Sequence, residues 1–98
     1  MPFQDLSDEH RILIYIRRKH FEKAFCEDLK EALRNDWAEK IRPLVFDFSE
    51  VYRIDTFGVQ VLLYCAQFHR RNGSSVKIRN VREEARQRLK SLALDFLL

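Results

Sequence analysis

Asp47, Asp55, Thr56 and Gly58 are the residues of this chain whose types and spacing best suit chemistry. Asp55 and Thr56 stand directly before a long apolar segment, and either side chain can accept a hydrogen bond from the free N–H groups that open a helix. Taken by spacing alone, they are a capping pair. Asp47 lies in a short apolar run, and with Asp55 it falls where the strands of α/β folds end and ligands are commonly held. Helix capping and loop hydrogen bonding account for both carboxylates without a ligand. No catalytic set accompanies them. The sequence has no Gly-rich phosphate loop and no Cys or Ser with a recognisable His partner, and His10, His20 and His69 are scattered and read as surface residues. Cys26 and Cys65 lack histidines at ligand spacing and sit in apolar patterns, so they read as buried free thiols of a reducing cytosol, with no metal and no cofactor implied.

These residues need elements to position them. Ile12, Ile14 and Ile16 alternate with Leu13 and Tyr15, predicting an early, largely buried strand after an entry segment over 5–10. Phe21, Phe25, Leu29, Ala32 and Leu33 recur at three and four, predicting a helix that ends near Asn35 and Asp36. Pro43 precedes Leu44-Val45-Phe46-Asp47-Phe48, which suits a central parallel strand. The apolar segment after Thr56 predicts a second helix running to Arg71 and stopped by Asn72-Gly73. Val76 and Ile78 mark another strand; Val81, Ala85, Leu89 and Leu92 form the stripe of a third helix, and 94–98 is too short to classify. Strands alternating with helices predict one α/β domain over 1–98, a small mostly parallel sheet with helices packed against it.

Composition agrees with that size. The 98 residues are 46% hydrophobic and 34% charged, a balance that excludes a disordered chain. Eighteen Lys and Arg against fifteen Asp and Glu leave a formal charge of +3, too mild for a dedicated nucleic-acid binder. The longest apolar run, 61–66, falls far short of the ~20 residues that cross a bilayer, and the polar start is no signal peptide. A cytoplasmic protein is expected.

The stretch Leu44-Val45-Phe46-Asp47-Phe48-Ser49-Glu50-Val51-Tyr52-Arg53-Ile54-Asp55-Thr56-Phe57-Gly58 resembles the signature of STAS domains. That signature is a hydrophobic strand with an internal Asp, a short loop, a hydrophobic residue, then Asp-Ser/Thr-x-Gly opening a helix. The likeness continues through Asn72-Gly73, 76–81 and the Leu-rich end, whereas the first 40 residues share only the strand-then-helix order. STAS domains are best known from bacterial anti-sigma-factor antagonists. The resemblance therefore implies a non-enzymatic protein-interaction switch in transcription regulation. It makes Thr56 the residue that a partner kinase, often itself an anti-sigma factor, phosphorylates to turn binding off. A helix start tolerates such an anion, and a phosphate adds roughly −1.5 to −2 charge units to a contact surface. Two positions depart from the family: Arg17-Arg18-Lys19-His20 replaces a Gly-Glu-Leu-Asp-like turn, and Phe57 stands where a small residue is usual.

The second helix also has one apolar stripe too many. Val59, Leu62, Leu63 and Ala66 form a sheet-facing side, while Phe57, Val61, Tyr64 and Phe68 fall nearly opposite. Three aromatics in a row beginning beside Thr56, rimmed by Gln60, Gln67 and Arg71, have the composition of a partner-binding surface. A neighbouring helix covering part of the stripe is the plainer account, and a symmetric homodimer is another use for it. Two further readings stand beside the switch. One is the STAS subunit that binds the ATPase of a bacterial phospholipid-transport ABC complex, whose corresponding segment carries Thr. The other is binding of nucleic acid or anionic lipid through Arg17, Arg18 and Lys19.

Overall fold

The apolar runs around 12–16, 44–47 and 76–79 become the parallel strands of one sheet. The computed structural model describes residues 2–98. Its strands are β1 (Phe3–Asp5), β2 (Ile12–Ile16), β3 (His20–Phe21), β4 (Leu44–Asp47), β5 (Arg53–Ile54) and β6 (Val76–Arg79). The helices are α1 (Cys26–Glu39), α2 (Thr56–Arg71) and α3 (Glu83–Ser91), with 3-10 turns at Lys23–Phe25 and Asp95–Leu97. The main sheet has the order β1-β2-β4-β6, with β1 antiparallel to β2 and the other pairs parallel; β3 and β5 form a separate parallel pair. The expected mostly parallel α/β domain is the observed one.

Register assigns each face of the sheet its task. Ile14, Phe46 and Ile78 align across β2, β4 and β6 and are buried, whereas the adjacent row Tyr15, Asp47 and Arg79 ends in an exposed arginine. The chain steps in one direction from β2 to β4 to β6, so right-handed crossovers bring α1 and α2 to the same face. There the two helices meet: the Trp37 ring stacks on Phe68 with centroids 4.0 Å apart, and Trp37 Nε1 donates to His69 Nε2 at 2.8 Å.

Several boundaries differ from the sequence-based expectation. Part of the entry segment over 5–10 belongs to β1, whose pairing with β2 extends to Asp5. Phe21 is in β3 rather than on the first helix, which starts with a 3-10 turn at Lys23 and continues past Asp36 to Glu39 so that Trp37 joins the buried face. Leu92 caps α3 and is exposed; Ala93 takes a left-handed conformation (φ 58°), and Leu94 N donates back to Leu89 O at 2.8 Å, which buries Leu94 instead. Cys26 and Cys65 are free and buried as expected, and burial pushes the Cys65 thiol up to about 12.

The end of α1 is tied down by a buried charge cluster. Arg42 donates to the carbonyls of Asp8, Lys40 (3.2 Å) and Asp36 (3.4 Å), and lies 3.7 Å from the Asp36 carboxylate. Burial pushes the Asp36 carboxyl up to about 7, with a hydrogen bond to Asp5, repulsion from it and repulsion from Glu39 adding to the effect and Arg42 opposing it. The folded state therefore prefers Asp36 protonated. That contribution is fully present below the unfolded value of 3.8 and is lost as pH rises through about 7. Asp36→Asn, which keeps the shape and cannot ionise, is expected to gain stability relative to the wild type between pH 4 and pH 8 in urea titrations. A difference between the two proteins that does not change with pH would contradict this assignment.

Candidate functional site

Phe48, Val51 and Ile54 are buried and pin the loop between β4 and α2 to the core. Two arginines from the far side of that loop hold its backbone: Arg82 Nε donates to Ser49 O at 2.7 Å and Arg88 Nε to Ile54 O at 3.3 Å. Arg82 also lies over the Tyr52 ring, 4.3 Å from its centre. On the near side, His20 and Phe21 of β3 pair with Arg53 and Ile54 of β5, and Asp55 N donates to Phe21 O at 3.1 Å. The start of α2 is therefore held from both flanks.

The capping pair resolves into two roles. Asp55 is the N-cap: its Oδ1 accepts from Gly58 N at 2.8 Å, and its carbonyl accepts from Val59 N at 3.0 Å. Thr56 is the first helical residue and is exposed. Gly58 is required by closeness: a Cβ there would sit on the Phe21 carbonyl oxygen and 2.6 Å from its ring Cδ1. Asp47 accepts from Ser49 N at 2.9 Å, Asn80 Nδ2 at 3.0 Å and Arg79 Nε at 3.1 Å. Burial acts to raise its carboxyl, but the bonds from Ser49, Arg79 and Asn80 outweigh it and hold the group below its ordinary value. Its acceptors are committed to protein donors, so loop bonding is the role the geometry gives it.

Only part of the second apolar stripe is open. Phe57 and Tyr64 are 46% and 43% exposed, but Val61 is 2% exposed and Phe68 is half-buried under Trp37. The proposed four-residue surface is thus corrected to two aromatics, because α1 lies along that side of α2. The buried stripe of α2 runs through Gly58, Val61, Leu62, Cys65 and His69, while Val59, Leu63 and Ala66 are partly covered. His69, expected at the surface, is fully buried because Trp37 supplies its partner from α1. Between the two helices runs a groove of about 480 Å³ with Phe57, Gln60 and Tyr64 on one wall and Val61 in its lining. A larger depression of about 610 Å³ lies across β1 and α1 and includes neither Thr56 nor any residue of α2.

Two residues of the groove carried no functional expectation from sequence. Lys23 Nζ lies 4.9 Å from the Phe57 ring centre, and Lys30 Nζ 5.9 Å from that of Tyr64. Each pair repeats after seven residues on its own segment, a shared spacing that means nothing until the helices are placed side by side. Arg17, Arg18 and Lys19 are exposed, and the β3–β5 pairing brings their segment to the loop before α2. Tyr52 N and Arg53 N both donate to Lys19 O, at 2.7 and 3.1 Å. Among the described residues no group of three or more His, Cys, Asp or Glu could hold a metal, and no helix is long and apolar enough to cross a membrane.

A small, mostly parallel sheet backing a helix that opens with Asp-Thr-x-Gly defines a particular class of α/β domain. The STAS family model matches residues 11–98, and the chain belongs to that family. Among solved structures, that of the anti-sigma factor antagonist SpoIIAA in its unphosphorylated form is similar in fold, with a TM-score of 0.80 at 12% identity over 97% of this chain and 84% of that one. A comparison with curated proteins gave no match.

Proposed function

We propose that this chain is a non-enzymatic, partner-binding switch of the anti-sigma-factor-antagonist kind, acting in the cytoplasm. It docks on a regulatory protein through the start of α2 with Phe57 and Tyr64, and phosphorylation of Thr56 releases it. The observation that carries this reading is the division of labour at the helix start: Asp55 supplies the cap, and Thr56 stands exposed at the first helical position. A phosphate added there meets the positive end of the helix, so the fold keeps its stability while the docking face changes charge. Family membership and the likeness to an anti-sigma factor antagonist support the same reading.

Affinity capture from native extract with wild-type, Thr56→Ala and Thr56→Glu baits tests it. The expected result is one regulatory partner kept by wild type and Ala and reduced at least tenfold with Glu, since charge placed against an apolar contact costs over ~1.4 kcal/mol. Identical partner sets for all three would leave Thr56 without a switching role. Capture of an ABC-transporter ATPase would keep the interaction module and move it to transport.

A further inference from the structure

We infer that the groove between α1 and α2 receives an acidic amphipathic helix of a protein partner, with carboxylates on Lys23 and Lys30 and apolar side chains on Phe57 and Tyr64. The inference rests on the docking face proposed above and gives its partner a chemistry. The wall facing α2 carries Lys23, Cys26, Glu27 and Lys30, so its two lysines outnumber its one carboxylate, and each lysine stands over one of the two exposed aromatic rings of α2. Seven residues of helix rise about 10 Å, so the two cation-aromatic units recur two turns apart with a buried valine between them. A helix laid along the groove presents side chains at the same repeat: carboxylates at i and i+7, with apolar anchors at i+3 and i+4.

Charge favours that occupant over a neutral or basic one. Lys23 has no carboxylate within ion-pair distance among the described residues. Lys30 lies 3.7 Å from Glu27, whose side chain is 83% exposed, and a solvated pair of this kind is easily exchanged for a partner's carboxylate. Arg17, Arg18 and Lys19 approach the same end of α2 through β3, extending the positive field that an incoming acidic segment would meet.

The experiment uses two synthetic amphipathic peptides about four turns long, identical in their leucine and phenylalanine positions, one with glutamates seven residues apart and the other with lysines there. Calorimetry and amide shift mapping are run on the full chain. The glutamate peptide is expected to bind more tightly, to shift Phe57, Gln60 and Tyr64, and to weaken as salt is added. Lys23→Glu combined with Lys30→Glu is expected to weaken it about tenfold or more, and the Lys23→Ala, Lys30→Ala pair by less, with thermal unfolding confirming that both variants fold. Equal binding of the lysine peptide, shifts that map away from the groove, or indifference to both double variants would overturn the inference. In the capture assay, retention of the partner by the charge-reversed variant while Thr56→Glu still releases it would overturn this partner chemistry alone. Loss of the Thr56→Glu effect with groove-specific peptide binding intact would overturn the switch and support the groove.

Discussion

Trp37→Ala is expected to cost about 3–5 kcal/mol of folding stability, the usual toll for emptying a large buried aromatic site. Trp37 is 8% exposed, stacks on Phe68 at 4.0 Å, and meets the rings of His69 and Tyr64 at 5.6 and 6.0 Å. It joins α1 to α2 by packing and by a hydrogen bond at once. With Trp37 Nε1 donating to His69 Nε2, the neutral imidazole carries its proton on Nδ1, and burial lowers the pKa of His69 to keep it neutral. Trp37→Phe separates the two contributions: it keeps most of the ring contact and leaves His69 Nε2 buried without a donor, a loss of about 1–3 kcal/mol. Urea midpoints should fall in the order wild type, Phe, Ala. An alanine variant as stable as the phenylalanine one would show that the site collapses around the missing ring.

Gly58→Ala is expected to destabilise the protein by up to about 2 kcal/mol even though alanine is the better helix former. Helix propensity favours the substitution by ~1 kcal/mol, whereas overpacking a tight contact typically costs about 1–3 kcal/mol and occasionally more. The contact decides the sign. The nearest obstacle to a new Cβ is the Phe21 carbonyl oxygen, a backbone atom in β3 that already accepts from Asp55 N, with the buried Phe21 ring 2.6 Å away and Ile54 Cγ2 at 3.1 Å. Neither backbone nor ring can yield without moving β3 or the start of α2. The variant should therefore also shift the amide resonances of Phe21 and Asp55, and partner capture should weaken because Thr56 and Phe57 ride on that first turn. An alanine variant with a raised urea midpoint would mean that α2 can lift off β3 at little cost.

These two residues show how unevenly the site was written in the chain. The Asp55 cap reaches only to Gly58, three residues on, so the type and order of Asp-Thr-x-Gly were enough to predict a cap at this pair, and the structure chose Asp55 over Thr56. The parallel strands were legible because a strand covered on the helix side and bounded by Pro or turn residues appears as a short apolar run, and α1 and α3 because their buried residues recur at helical spacing. By contrast, β1, β3 and β5 have two or three residues each, too few to carry a period, and they exist through pairing with distant segments. Phe21 fell into phase with the α1 stripe by coincidence of spacing.

The information legible in the chain was local: the longer strands and the helices, where α2 begins, the pair of residues from which its cap is drawn, and that α2 carries more apolar surface than a sheet can cover. Tertiary structure alone decided which of that surface stays open. Placing α1 beside α2 buried Val61 and half-covered Phe68, gave His69 a donor 32 residues away, and set Lys23 and Lys30 over Phe57 and Tyr64. The reason is the range of the forces involved. Capping bonds and hydrophobic periodicity act within a turn or two of one chain segment, whereas the rotation of a helix about its own axis is settled by the shape of the neighbours it packs against.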